Sequence, residues 1–143
     1  MTLNETIKYI NDVAAKQPNI NHIIESGNIY DLNTDGKINY SAFCLTQQPH
    51  TEVEGFRTYN FYFFYVDRLL TDNSNKIAVQ SAAIETLSNI INTLRQNFEI
   101  EINNNITYQV FTQRFASECA GAYTSVSITV PITSCATDYE QQN

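Results

Sequence analysis

The chain has 143 residues, of which 43% are hydrophobic and 16% charged, and its net charge is −7. That length supports one domain with a core that needs neither disulfides nor metal, and nine Tyr with eight Phe exclude a disordered acidic tail. Phosphate neutralisation demands a basic patch, which this acidic balance lacks, so no sequence-specific nucleic acid binding is expected.

The first element is a helix. Thr2 and Glu5 form a capping box, and Leu3, Ile7, Ile10 and Ala14 recur at helical spacing with Val13 beside them. Pro18 stops it, because the residue before a proline is pushed out of the α region. Ile20, Ile23 and Ile24 fit either a short helix or a strand, and Ser26-Gly27 interrupts both. Asn28 to Leu32 is expected as a short strand and Thr34-Asp35-Gly36-Lys37 as a hairpin turn. Ile38 to Gln47 then follows as a strand with Ile38, Tyr40, Ala42 and Cys44 on one face. The segment from Gln48 to Gly55, holding Pro49, reads as a mobile loop.

Tyr59-Asn60-Phe61-Tyr62-Phe63-Phe64-Tyr65-Val66 is the most informative run. Its aromatic and β-branched residues favour a strand. Phe61, Phe63 and Tyr65 share one face, while Tyr62, Phe64 and Val66 share the other. A half-solvated strand alternates with polar residues; this one does not, so something covers each face. Asp72, Asn73 and Ser74 offer N-caps for a second helix from about Asn75 to Phe98, striped by Ile77, Ile84, Leu87, Ile91, Leu94 and Phe98. Two strands follow, Ile106 to Phe115 and Ala122 to Val130, the second closed by Pro131. Its Val126, Ile128 and Val130 oppose Ser125, Ser127 and Thr129, which predicts a sheet with one wet face or a face reserved for a neighbour. The expected fold is α+β, a mainly antiparallel sheet packed with two helices in the order α-β-β-β-α-β-β. Residues 1–131 are expected as a single domain and 132–143 as a C-terminal tail.

Asp31-Leu32-Asn33-Thr34-Asp35-Gly36-Lys37-Ile38-Asn39 matches the first nine positions of an EF-hand loop, with oxygens from Asp31, Asn33 and Asp35. The twelfth position, which should be a bidentate Glu, is Ala42, and the following residues read as a strand rather than an exiting helix. A hairpin turn produces the same pattern, and weak calcium binding is the alternative. No cofactor is indicated. His22 and His50 are the only candidate bases, and neither sits in a nucleophile signature. Glu52 and Glu54 read as a solvated edge, and Asp67-Arg68 as an ion pair or cap at a strand end. Cys44, Cys119 and Cys135 lack paired spacing and read as small hydrophobes in a reducing compartment. The N-terminal residues predict no signal peptide, and no window suits a membrane span; a soluble, non-enzymatic protein made in a cytoplasm is expected.

The aromatic strand admits two arrangements. In one, the two helices cover opposite faces; in the other, both cover one face and another subunit covers the second. Two stretches bear on the choice. Tyr62 to Leu70 with Ser74-Asn75-Lys76, Gln80-Ser81 and Asn89 to Asn92 is one, and Arg114-Phe115-Ala116, Cys119 to Tyr123 and Val126 to Pro131 is the other. Together they resemble small virion proteins of tailed bacteriophages of gut Bacteroidetes, including the crAss-like group. The element order is similar to tail-terminator and tail-completion proteins. The resemblance implies a homo-oligomeric ring of the head-tail neck or tail, located in the virion and assembled in the bacterial host. Portal, neck or tail proteins are its neighbours, and DNA passes along its axis. It carries no catalytic residues. It also favours the subunit-interface arrangement, with Tyr59, Phe61, Phe63 and Tyr65 as the interface.

Overall fold

In the computed structural model, which describes residues 1–33, 38–115 and 117–132, helix α1 (Leu3–Ala15) starts on the capping box read from the sequence. The Glu5 N–H donates to Thr2 Oγ1 at 3.1 Å and the Thr2 N–H donates to Glu5 Oε1 at 3.0 Å, so two N–H groups left over by the helix start are satisfied. Ile10, Val13 and Ala14 form its buried side.

The strands in chain order are β1 (His22–Ile24), β2 (Ala42–Gln47), β3 (Thr51–Val53), β4 (Phe56–Arg68), β5 (Glu101–Ile102), β6 (Tyr108–Arg114) and β7 (Glu118–Pro131); helix α2 (Lys76–Leu94) lies between β4 and β5. Among the described residues they form one seven-stranded sheet ordered β1-β2-β4-β7, with β5 and β6 sharing the outer side of β7 and β3 paired to β4. Only β1–β2 is parallel; the rest is antiparallel, as expected of the α+β class. The spine of the sheet is the long β4–β7 ladder, running from Phe56↔Pro131 to Arg68↔Cys119.

Both helices pack on the same face of the sheet. Ile10, Val13 and Ala14 of α1 and Ala83, Leu87, Ile90, Ile91 and Leu94 of α2 join Phe43, Tyr59, Phe61, Phe63, Tyr65, Val126 and Ile128 in one core. Side chains alternate along strands, so the register Tyr59↔Ile128 and Phe61↔Val126 sets the odd-numbered positions of β4 against the apolar row of β7. Each large side chain withdrawn from water there contributes about 1.5–3 kcal/mol. A second, smaller core lies on the opposite face at one corner, where Ile29, Leu32 and Ile38 cover Ala42, Cys44, Val66 and Cys119.

Several segments differ from the sequence expectation. Asn28 to Leu32 is not a strand: Ile29–Asn33 forms a 3₁₀ helix, and β2 takes β1 and β4 as partners. The cause is local. Ser26 Oγ accepts the Asn28 N–H at 3.2 Å and Asn28 Oδ1 accepts the Tyr30 N–H at 3.0 Å, and such side-chain bonds compete with extended pairing. The three-residue period also turns Ile29 and Leu32 inward together. The Thr34–Lys37 turn lies outside the described residues. The expected loop 48–55 contains β3, which folds back on β4 through Gly55 at φ +85°. Helix α2 is shorter than its stripe: Leu87, Ile91 and Leu94 are buried as expected, Ile77 and Phe98 are exposed, and Val79, Ala83 and Ile90 complete the buried row. Its N-cap, Asn75, makes no cap bond. Its side chain accepts the Leu70 N–H and donates to the Arg68 carbonyl, tying the helix start to the end of β4.

Candidate interaction face

With both helices on one side, the other side of the sheet carries the even-numbered positions of β4 and the odd-numbered positions of β7. The corner core covers Val66. Beyond it, Tyr62, Phe64, Phe111 and Tyr123 are half-buried and held against one another. Phe64 stacks on Tyr123 at 5.2 Å between centroids, and Tyr62 meets Tyr123 edge-on at 5.7 Å. Phe111 lies 6.3 Å from Phe64 and 6.2 Å from Tyr123. These offset and edge-to-face geometries are the favourable ones for aromatic pairs.

The cluster stands where it does because β4 and β7 approach closely at Gly121. A Cβ on Gly121 would lie 1.8 Å from the Tyr65 carbonyl oxygen and 3.2 Å from the Phe111 ring. The missing side chain is thus filled by Phe111, the register partner of Gly121 on β6. Further along the face the ladder turns polar but stays uncharged. Ser127 Oγ bonds Asn60 Oδ1 at 2.7 Å and Thr58 Oγ1 bonds Thr129 Oγ1 at 2.9 Å, while Ser125 is exposed between them and the rings. Thr46 and Gln109 flank the strip. An aromatic and hydroxyl surface without ions loses little hydration energy when a partner covers it.

The residues expected as the interface lie elsewhere. Tyr59, Phe61, Phe63 and Tyr65 are 0–3% exposed beneath the chain's own helices. Phe43 and Phe63 pack edge-on at 5.5 Å, and the Tyr59 hydroxyl donates to the Met1 carbonyl at 3.1 Å. The strand has two apolar faces, as its sequence says, but the face left open holds Tyr62 and Phe64.

Of the metal-loop residues, Asp31 sits in the 3₁₀ turn, where its carboxylate accepts the Ser26 hydroxyl. Asn33 closes that turn, Asp35 lies outside the described residues, and Ala42 opens β2 fully buried. Among the described residues no group of three His, Cys, Asp or Glu side chains could hold a metal. His22, Glu25 and Asp31 line one open crevice beside β1.

His50 is a structural residue. Its Nδ1 accepts the Asn60 N–H at 3.0 Å, which leaves the ring proton on Nε2, placed 3.0 Å from Gln47 Oε1. Its ring meets Tyr59 and Phe61 edge-on. Glu52 pairs with Arg57 at 2.8 Å across the β3–β4 hairpin. Asp67 accepts the Arg68 N–H at 2.7 Å, and the Arg68 guanidinium lies 5.0 Å over the Tyr40 ring instead of pairing with its neighbour. Burial holds the Asp67 carboxyl above its usual range, against the opposing pull of that N–H and of Arg68. Burial also pushes the Cys44 thiol up to about 11 and raises Cys119, so both are poor nucleophiles. Cys135 lies outside the described residues.

Sequence reasoning missed the end of the sheet where Phe56 is half-exposed and Phe98 fully so, lining a groove with Met1, Ile100 and Pro131. Among the described residues no helix is long and apolar enough to cross a membrane. No protein-family model matches the chain, and no curated protein matches it.

Proposed function

We propose that the chain is a structural subunit of a larger assembly, a ring component of the head-tail neck or tail of a tailed bacteriophage. The observation that carries the assembly reading is the sheet face that none of the described helices covers. Both helices lie on one side, and the other presents Tyr62, Phe64, Phe111 and Tyr123 beside an uncharged strip of Asn60, Ser125 and Ser127. An aromatic patch rimmed by neutral hydroxyls and amides is the composition of a subunit contact, where Tyr and Phe anchor and few ions must be dehydrated. The virion assignment rests on the resemblance of Tyr62 to Leu70 and Arg114 to Pro131 to small phage virion proteins. The net charge of −7 suits a wall along which DNA slides without adhering.

In this reading the chain works by fit rather than by turnover. The helices and inner core set the thickness and rigidity of the subunit, and the open face meets the neighbouring subunit. The test is Ser125→Lys, an exposed position in the middle of that face. The variant should melt like the wild type, because nothing packed is disturbed, yet fail to co-purify with phage particles. A Ser125→Lys chain that enters particles at wild-type copy number would refute the open face as the contact.

A further inference from the structure

Among the described residues, strand β6 ends the sheet. It pairs with β7 on its inner side along all seven residues, from Tyr108↔Thr124 to Arg114↔Glu118. Its residues are exposed apart from the half-buried Tyr108 and Phe111. Natural edge strands are blunted by proline, bulges, short length or charge, since their outward N–H and C=O groups otherwise template a new strand. This edge has no proline, an unbroken register and no charge before Arg114. From α2, Gln80 Nε2 reaches the Phe111 carbonyl at 3.2 Å, and that oxygen keeps a second lone pair for a ladder bond.

We propose that β6 pairs antiparallel with β6 of a second copy of this chain, across a twofold axis at Phe111. The ground is the order of its residues. A twofold interface must be complementary to itself, and Gln109-Val110-Phe111-Thr112-Gln113 is nearly the same read in either direction. Centred on Phe111, the pairing sets Gln109 opposite Gln113 of the second copy, where two amides bond to each other. Val110 meets Thr112, both β-branched, and Phe111 meets its own equivalent. Tyr108 meets Arg114, an aromatic face against a guanidinium. No like charges face each other. On a chain of net charge −7, this edge is close to neutral, its one cation Arg114 standing 3.6 Å from Glu118, and two copies meet there with little repulsion. The pairing also continues the aromatic cluster across the axis, because Phe111 already touches the Phe64 and Tyr123 rings. It needs only the edge and does not depend on the virion reading.

The test is light-scattering mass of the purified full chain over a micromolar concentration series, with two paired variants. The wild type should form a dimer. Gln109→Lys with Gln113→Lys places lysines opposite each other twice and should weaken it about tenfold or more. Gln109→Lys with Gln113→Glu turns the same two contacts into ion pairs and should restore it to within a few-fold of wild type. Both positions are exposed, so melting temperatures should stay together. A monomeric wild type overturns the proposal, as does an assembly indifferent to the double lysine, or a Lys/Glu variant that fails to recover. An assembly that persists through the double lysine refutes the β6 pairing while leaving the neck-or-tail reading intact. Hydrogen exchange on the wild type gives an independent check. The outward β6 amides should be protected only at concentrations where the dimer forms, and concentration-independent exchange refutes the pairing.

Discussion

Replacing Gly121 by alanine tests the packing on which the open face depends. The new methyl carbon would stand 1.8 Å from the Tyr65 carbonyl oxygen and 2.9 Å from its carbon, more than an ångström inside any tolerated contact with the first. The obstacle is backbone, so no rotamer change relieves it; β4 and β7 must separate at Val66↔Gly121, near the Arg68↔Cys119 end of their ladder. Overpacking of this kind costs about 1–3 kcal/mol, and one or two loosened ladder bonds add about 1 kcal/mol each. The stiffer unfolded chain returns roughly 0.4–1 kcal/mol. The net loss is about 1–4.5 kcal/mol, which lowers the melting temperature of a chain this size by about 3–15 °C. Circular dichroism melts and urea titrations measure it directly. Adding Phe111→Ala should not rescue the variant, because the ring is the lesser neighbour at 3.2 Å. Gly55→Ala, where only the positive φ is strained and nothing lies within 4 Å, should cost about 1 kcal/mol. A Gly121→Ala chain that melts with the wild type would refute the close approach of the two strands.

Other perturbations address the remaining sites. His50→Ala removes the acceptor of the half-buried Asn60 N–H and two ring contacts; a loss of about 1–3 kcal/mol in urea unfolding is expected, and an unchanged midpoint would show the ring to be incidental. Asp67 is held above its ordinary range by burial, so the folded chain takes up the proton more readily than the unfolded one. Its ionised form therefore costs stability at neutral pH, and that cost disappears as pH falls through the raised value. Asp67→Asn should melt higher than wild type at neutral pH and converge with it in acid; a lower melt at neutral pH contradicts the sign. Calcium calorimetry should give a flat isotherm at millimolar ion, since the twelfth loop position is the buried Ala42. A saturable signal abolished by Asp31→Ala would overturn that expectation.

What the sequence conveyed and what it concealed divide along physical lines. The capping box at Thr2 and Glu5 is a local signal and is realised bond for bond. The alternation of Ser125 to Val130 reports burial directly, and Val126, Ile128 and Val130 are indeed the inner row. The aromatic strand was ambiguous because both of its faces are apolar, and its own residues do not say which one the helices cover. The deciding signal lay in β7. Once the two strands pair, Tyr59 and Phe61 align with Ile128 and Val126, while Asn60 and Tyr62 align with Ser127 and Ser125. Register is a non-local property, so that signal appears only when the strands meet. The 3₁₀ turn at Ile29–Asn33 was concealed for the opposite reason. Its residues suit a strand by propensity, but Ser26 and Asn28 bind the backbone locally and override them. Ile77 and Phe98 fit the helical period, yet the first lies on the exposed side of α2 and the second beyond its end at Leu94.

The copy number of this chain in purified phage particles, by quantitative mass spectrometry referenced to the portal protein, decides whether it is a virion subunit. A ring component of the neck or tail predicts that the chain is present in a simple whole-number ratio to the portal. Its absence from intact, infectious particles would refute a place in the neck or tail.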